Sequence, residues 1–335
     1  MRAIAYYKSL PISDSNALVD IDIDPPSLSA RDLLVKIEAI SVNPVDTKIR
    51  TKVSPSNSEF KILGWDAAGT VTAVGEQVSL FNKGDEVWYA GAIDRAGANS
   101  EYHVVDERIV SKKPESLTFD RAAALPLTSI TAWEILFDRL KVHNNSSGTL
   151  LVIGAAGGVG SMIIQLAKQL TKLKVIASAS RPETISWVKS LGADFVINHN
   201  NSLSEELKSL GVGLVEYVAG LNHTENHLDE IVKVIAPQGK FAVIDDPQSL
   251  DIMPFKTKSI SIHWELMFTR SLFETKDMIE QHNLLEKIAN MVDRGEIKST
   301  LREHLGEINA ANLVRAHTLL ESGKSIGKIV LSGFS

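Results

Sequence analysis

The chain of 335 residues reads as an α/β protein with two domains, a β-rich one and a doubly wound parallel sheet flanked by helices. Three observations predict this. A strand-length apolar run at 150–153 ends in the small-residue turn Gly154-Ala155-Ala156-Gly157-Gly158-Val159-Gly160 and opens at once into a helical pattern. From there on, strand-like and helix-like segments alternate, which implies βαβ units and a parallel sheet. The first 120 or so residues instead carry short β-like runs set off by glycine and proline.

Taken in order, the first seven residues read as a strand and lack the apolar core of a signal peptide. Segments 32–40, 69–75 and 85–89 follow as strands of the β-rich domain. The parallel sheet is expected to use 150–153, 174–177, 195–197, 214–218 and 240–244, with a later apolar run at 259–263. Helical patterns fall between them, as at 184–191 and 227–235. Val159, Met162, Ile163, Leu166 and Leu170 recur at helical spacing and pack the helix after the glycine turn onto the sheet. Segment 271–291 reads as one helix. The strand at 327–331 rejoins the first domain, so the expected boundaries are 1–122 plus 266–335 for the β-rich domain and 123–265 for the other.

Composition narrows the function classes. The chain is 44% hydrophobic and 23% charged, with a net charge of −6, which argues against nucleic acid or an anionic membrane as the main partner. It contains no cysteine, so disulfides, thiolate chemistry and sulfur-ligated metal sites are excluded. No apolar stretch approaches the roughly 18 residues that span a bilayer, and a cytoplasmic location is expected.

The glycine turn carries the strongest chemical signal. A strand, a turn of small residues and a helix N-terminus form the context in which a pyrophosphate meets free backbone N–H groups and the positive end of the helix dipole. The pattern is Ala155-x-Gly157-x-x-Gly160, with alanine at the first glycine position and Gly154 keeping the turn permissive. Gly154, Ala155, Gly157, Gly158, Val159 and Gly160 are therefore assigned to a dinucleotide. NAD sites carry an acidic residue about 20 positions further on, at the end of the second strand. Here Ala179 and Ser180 occupy that place and Arg181 follows. A hydroxyl and a guanidinium favour a 2′-phosphate, so NADPH is the expected cofactor. The alternative is that Arg181 is a solvated loop cation. Leu221 and Asp245 stand at strand ends, where ligands bind in such sheets.

The motifs taken together resemble the medium-chain dehydrogenase/reductase superfamily, in its zinc-free quinone oxidoreductase branch. They are Ser41-Val42-Asn43-Pro44-Val45-Asp46-Thr47-Lys48, Gly64-Trp65-Asp66-Ala67-Ala68-Gly69-Thr70-Val71, Gly84-Asp85-Glu86-Val87 and Leu125-Pro126-Leu127-Thr128-Ser129-Ile130-Thr131-Ala132-Trp133, followed by the glycine turn and the closing strand. Residues 263–270 also resemble a subgroup labelled zinc-type alcohol dehydrogenase-like. The resemblance implies a GroES-like β-rich catalytic domain and a Rossmann cofactor domain. In zinc members a Gly-His-Glu motif supplies a ligand. Here Gly64-Trp65-Asp66 replaces it, 42–46 lacks sulfur, and 91–100 is too short for a structural-zinc lobe. No zinc is expected. His223 and His227 form the one i,i+4 histidine pair, read as a solvated helix face.

The resemblance further implies an NADPH-dependent oxidoreductase that passes hydride to a quinone or another α,β-unsaturated carbonyl, an enone or enal. It places Asn43, Asp46 and Lys48 at the acceptor: Asn43 to donate to its oxygen, Lys48 to stabilise charge, Asp46 to hold Lys48 or a ribose. The alternative for Asn43 and Asp46 is a turn closed by an Asx hydrogen bond. Thr131 is expected near the nicotinamide or phosphates, and Ser180, Arg181 and His199 around the 2′-phosphate. Trp65, Met267, Phe268 and Arg270 are expected to line the acceptor pocket, with core or dimer contact as the alternative for Met267 and Phe268. The apolar edge strand at 259–263 implies a homodimer. Two other function classes stay open: an alcohol dehydrogenase or reductase of simple carbonyls, and a non-catalytic NADPH- or RNA-binding protein.

Overall fold

A computed structural model describes residues 1–56 and 59–334. The chain divides into two compact units, Met1–Ile130 with Phe268–Ser335, and Thr131–Met267. The first unit keeps the chain longer than the sequence suggests, passing it on after Ile130 and not after Ala122. The cause is visible at Leu127, whose N–H donates to the Asp66 carboxylate at 3.0 Å and holds this stretch to the first unit.

The first unit begins with β1 (Arg2–Tyr6), β2 (Val19–Asp22), β3 (Asp32–Val42), α1 (Pro44–Lys52) and β4 (Lys61–Ile62). It continues through β5 (Ala67–Val74), β6 (Glu86–Tyr89), β7 (Tyr102–Asp106), β8 (Val110–Lys112), α2 (Phe119–Ala123) and α3 (Pro126–Trp133). The long β3 organises it. Two register shifts against β5, at Leu34/Val35 and Ile37/Ala39, let β3 pair with both β5 and β7. Such bulges bend a strand and re-aim its side chains. The inward residues Leu33, Val35, Ile37, Ile40 and Val42 pack the core with Trp65, Trp88 and Tyr89, each almost wholly buried.

The second unit is a single parallel sheet with its helices. In chain order it has β9 (Thr149–Ile153), α4 (Gly158–Leu170), β10 (Lys174–Ser178), α5 (Pro182–Ser190), β11 (Phe195–Ile197) and α6 (Leu203–Ser209). Then come β12 (Val215–Gly220), α7 (Thr224–Val234), β13 (Ile235–Val243) and β14 (Ser261–Trp264). The strand order is β11-β10-β9-β12-β13-β14, so the order reverses beside β9, the strand that ends in the glycine turn. Leu150–Ile153 is buried on both faces, as a central parallel strand requires. Met162, Ile163, Leu166 and Ala167 form the buried stripe of α4.

The chain then returns to the first unit with α8 (Thr269–Leu272), α9 (Glu280–Asp293), β15 (Leu301–His304), α10 (Ala310–Glu321) and β16 (Lys328–Ser332). As the sequence implies, the last strand rejoins the first unit: β16 pairs antiparallel with β3, whereas β1 lies in a separate sheet with β2 and β4. The expected single helix over 271–291 is instead two. Glu274 takes a left-handed backbone (φ 41°) and Thr275 N–H turns back to the Arg270 carbonyl, which closes α8 after one turn.

Candidate active site

The turn after β9 is tightly built. Gly154 has φ 80°, and a Cβ there would lie 2.3 Å from Asn222 Oδ1, so only glycine fits. A Cβ on Gly160 would lie 2.5 Å from the Ala155 backbone, so this glycine sets how closely α4 approaches the strand end. Gly157 is the N-cap of α4 and supplies no side-chain cap. The first N–H groups of the helix thus have no intrahelical partner and sit at its positive end. Gly154 N–H donates to Ser178 Oγ at 3.1 Å, tying the turn to the end of β10.

In the same unit the ends of four other strands carry most of the other predicted cofactor residues. Ser180 and Arg181, both half-buried, follow β10, and Arg181 Nε pairs with Glu183 Oε1 at 3.1 Å. His199 follows β11, and Leu221 follows β12 with its N–H donating to the Ile153 carbonyl at 3.2 Å. Asp245 follows β13. Its carboxylate accepts from Thr224 N–H at 2.8 Å and Thr224 Oγ1 at 2.6 Å, so its visible work is to fasten the start of α7. Thr131 is buried at the first position of this unit.

In the first unit, two of the three predicted catalytic residues fall into a buried polar cluster. Asn43 caps α1. Its N–H donates to Asp46 Oδ2 at 2.6 Å, and Gly64 N–H donates to Asp46 Oδ1 at 3.0 Å. The Asn43 amide donates to Asp66 Oδ2 at 3.1 Å and to the Ser41 carbonyl at 3.3 Å. Lys328, on β16, donates to Asn43 Oδ1 and to the Val42 carbonyl at 3.0 Å, and pairs with Asp66 Oδ2 at 3.0 Å. Every polar atom of the Asn43 side chain is thereby engaged within the protein. Asn43 makes no side-chain bond to its own turn, which Asp46 closes by accepting from Asn43 N–H. Lys48 lies half-buried on α1 two positions beyond Asp46, a spacing that points it to another side of the helix.

Burial governs the charges here. It pushes the Asp46 carboxyl up to about 7, against the Asn43 N–H and Lys328 that favour its ionised form. It also raises Asp66 and lowers Lys328, while each holds the other charged. Asp66 and Lys328 escaped the sequence reading as functional residues, although a lysine inside the apolar run Lys328-Ile329-Val330-Leu331 is the kind of signal that marks a buried partner.

The expected acceptor-pocket residues are buried or mostly buried, each in its own unit. Trp65 is fully buried, donates its indole N–H to the Ala92 carbonyl at 2.9 Å, and meets Phe268 edge-on at 6.2 Å. Phe268 and Met267 are buried too, at 2% and 3% exposure. Arg270 is mostly buried and pairs with Asp277 at 3.1 Å. Trp65 and Phe268 are core residues of the first unit.

A glycine turn at the switch point of a parallel sheet and a second, β-rich unit define a two-unit dehydrogenase-type fold. Residues 29–115 match the alcohol dehydrogenase GroES-like domain and residues 158–287 the zinc-binding dehydrogenase family. The chain is 38% identical over 339 aligned positions to the zinc-type alcohol dehydrogenase-like protein of Staphylococcus epidermidis, covering 99% of each chain. It is 30% identical to the 2-methylene-furan-3-one reductase of Solanum lycopersicum, over 93% of this chain and 74% of that one. A crystal structure from Rhizobium etli CFN 42, described as a candidate zinc-dependent alcohol dehydrogenase, matches with TM-score 0.96 and 52% identity over 100% of this chain and 98% of that one. The chain belongs to the medium-chain dehydrogenase/reductase superfamily.

Zinc, implied by these names, does not fit the residues at the Gly64–Asp66 turn. The place of a histidine ligand is filled by the Trp65 ring, which is a donor only. Asp66 is already bonded to Leu127 N–H, the Asn43 amide and the Lys328 ammonium, and Asp46 to two backbone N–H groups. Among the described residues no group of three or more histidine, aspartate or glutamate side chains could hold a metal ion.

Proposed function

We propose that this protein is an NADPH-dependent, zinc-independent reductase of quinones or other α,β-unsaturated carbonyls. The observation that carries the reading is the uncapped N-terminus of α4 behind Gly154 and Gly157, with Ser180 and Arg181 where an NAD site places an acidic side chain. NADPH supplies hydride when bound. The residues of the turn hold its pyrophosphate, and Ser180 and Arg181 hold its 2′-phosphate through charge-assisted hydrogen bonds. Thr131 and Lys48 remain the candidates for contact at the reacting end. Hydride addition to a conjugated acceptor gives a delocalised enolate or hydroquinone anion, which positioned donors stabilise without a Lewis acid. The tomato relative, named for reduction of an enone, supports this acceptor class. A homodimer through the exposed edge of β14 completes the proposal, since Trp264 and Leu266 are 56% and 49% exposed there.

The test is NADPH oxidation across a panel of quinones, enones, enals and plain aldehydes, with metal analysis of the same sample. Turnover of conjugated acceptors that survives chelation is expected. Activity confined to plain aldehydes and lost on chelation would overturn the reading, and binding of NADPH without turnover of any acceptor would point to a binding protein.

A further inference from the structure

Three histidines meet at one end of the cofactor unit, beyond the strand ends. His199 follows β11, and His223 and His227 open α7. The His199 and His227 rings stand edge-on with centroids 6.3 Å apart. His199 Nδ1 is buried with no hydrogen-bond partner among the described residues. His223 precedes the helix in a left-handed backbone conformation (φ 50°), which fixes how the turn delivers it. Burial first, then the nearby His223 and Arg181, hold His199 below its ordinary pKa. Burial, His199 and His223 do the same for His227.

The carboxylates on the surrounding elements have partners of their own. From the α5 side, Glu183 pairs with Arg181 at 3.1 Å. On α7, Glu225 accepts from Gln248 N–H at 3.3 Å, and Glu230 accepts from Ser202, Ser204 and Lys233. At the end of β13, Asp245 accepts from Thr224. The three imidazoles thus stand beside the Arg181 guanidinium, which is paired with Glu183. Burial first, and then the neighbouring positive groups, disfavour the charged forms of His199 and His227, and a bound dianion would reverse that preference. The i,i+4 pair on α7 therefore has a use beyond a solvated face.

Resting on the NADPH reading above, we propose that His199, His223 and His227, with Arg181, form a proton-linked seat for the 2′-phosphate. NADPH then binds together with a proton. The proton comes from solvent and stays on an imidazole nitrogen next to the phosphate, and no bond of the cofactor changes. Because His199 and His227 lie below their ordinary pKa when the seat is empty and are raised when the phosphate is bound, affinity rises as pH falls. One linked proton changes Kd by up to about tenfold per pH unit. The phosphate itself takes up a proton near pH 6, so the useful window lies above that.

Calorimetric titration with NADPH and with NADH, from about pH 6.5 to 8.5 in buffers of different ionisation enthalpy, reads both the affinity and the proton count. NADPH affinity is expected to rise at least about tenfold across this window with net proton uptake, while NADH changes little. Both His199→Gln and His227→Gln are expected to flatten the NADPH profile, whereas Arg181→Ala lowers affinity at every pH and keeps the slope. NADPH preferred over NADH with a flat profile and no proton uptake would overturn the histidine seat alone. NADPH bound no better than NADH at any pH would overturn the cofactor reading and this inference with it.

Discussion

Replacing Lys328 by methionine keeps an unbranched side chain one atom shorter and removes one buried charge with three donors. The ammonium is 3% exposed and pairs with Asp66 at 3.0 Å, donating also to the Val42 carbonyl at 3.0 Å and to Asn43 Oδ1. In Lys328→Met, Asp66 keeps Leu127 N–H and the Asn43 amide but loses its counter-charge. Breaking a buried pair from one side costs about 3–5 kcal/mol. The carboxylate can limit that loss by taking a proton. From its ordinary value of 3.8, protonating it at pH 7 costs about 4 kcal/mol, and about 1.4 kcal/mol less for each pH unit lower. Both routes give a loss near 4 kcal/mol at neutral pH that shrinks in mild acid. In a unit of this size, roughly 2–4 °C per kcal/mol makes this about 8–16 °C. Scanning calorimetry of the variant at pH 7.5 and 5.5 measures it, with Asp66→Asn/Lys328→Met as the companion that removes both charges. A loss under about 1 kcal/mol, a loss independent of pH, or a double variant no more stable than the sum of the singles would refute the reasoning.

Arg181→Ala should weaken NADPH by about 10- to 100-fold and NADH hardly at all, the size of a hydrogen bond to a charged group. Equal losses for both cofactors in a binding titration would count against the 2′-phosphate assignment. Gly160→Ala forces a methyl to within 2.5 Å of the Ala155 backbone, and about 1–3 kcal/mol of overpacking with loss of cofactor binding is expected. A fully stable, cofactor-binding variant would sink that reading of the turn. His103 and His317 are held by burial near pKa values of about 4 and about 3, against 6.5 ordinarily. The unfolded chain therefore binds their protons first. Stability is whole above pH 6.5 and falls toward pH 4 by about 1.4 kcal/mol per unit for each. In thermal melts His317→Asn should make that acid limb shallower, and an unchanged slope would show that other groups set it.

Much of this architecture is written locally. The run at 150–153, its glycines and the stripe Met162, Ile163, Leu166 specify a strand, a turn and a helix through contacts a few residues apart, and right-handed βαβ crossovers fix the face on which each helix packs. The single helix expected over 271–291 failed because its apolar spacing continues through Phe273. Phe273 is in fact 72% exposed, and the break comes from backbone at Glu274 that periodicity does not register. The buried cluster was half legible. Asn43 and Asp46 lie three apart and form a capping box, a local motif. Their partners Asp66 and Lys328 arrive from β-strand regions far along the chain, and no spacing rule connects them. The histidine seat has the same origin, with His199 and His227 brought together by the crossover between β11 and β12.

Trp65 does more than delete a ligand. Its ring is buried, can only donate and is bonded to the Ala92 carbonyl, and the carboxylate beside it is neutralised from β16 by an ammonium. An ammonium differs from a metal ion in one decisive respect. Its three protons are spent on Val42, Asn43 and Asp66, and it has no open position to accept a carbonyl oxygen. The charge that neutralises the cluster is therefore not available to polarise a substrate. A plain ketone would have to develop its alkoxide without it, whereas a conjugated acceptor spreads the charge over its own atoms. Loss of one positioned proton donor is worth about 10²–10⁴-fold in rate. Cyclohexenone should accordingly be reduced at least about a hundredfold faster than cyclohexanone under the same conditions. Rates within tenfold of each other would mean that a group other than this cluster polarises the carbonyl, and that Trp65 does not decide the acceptor.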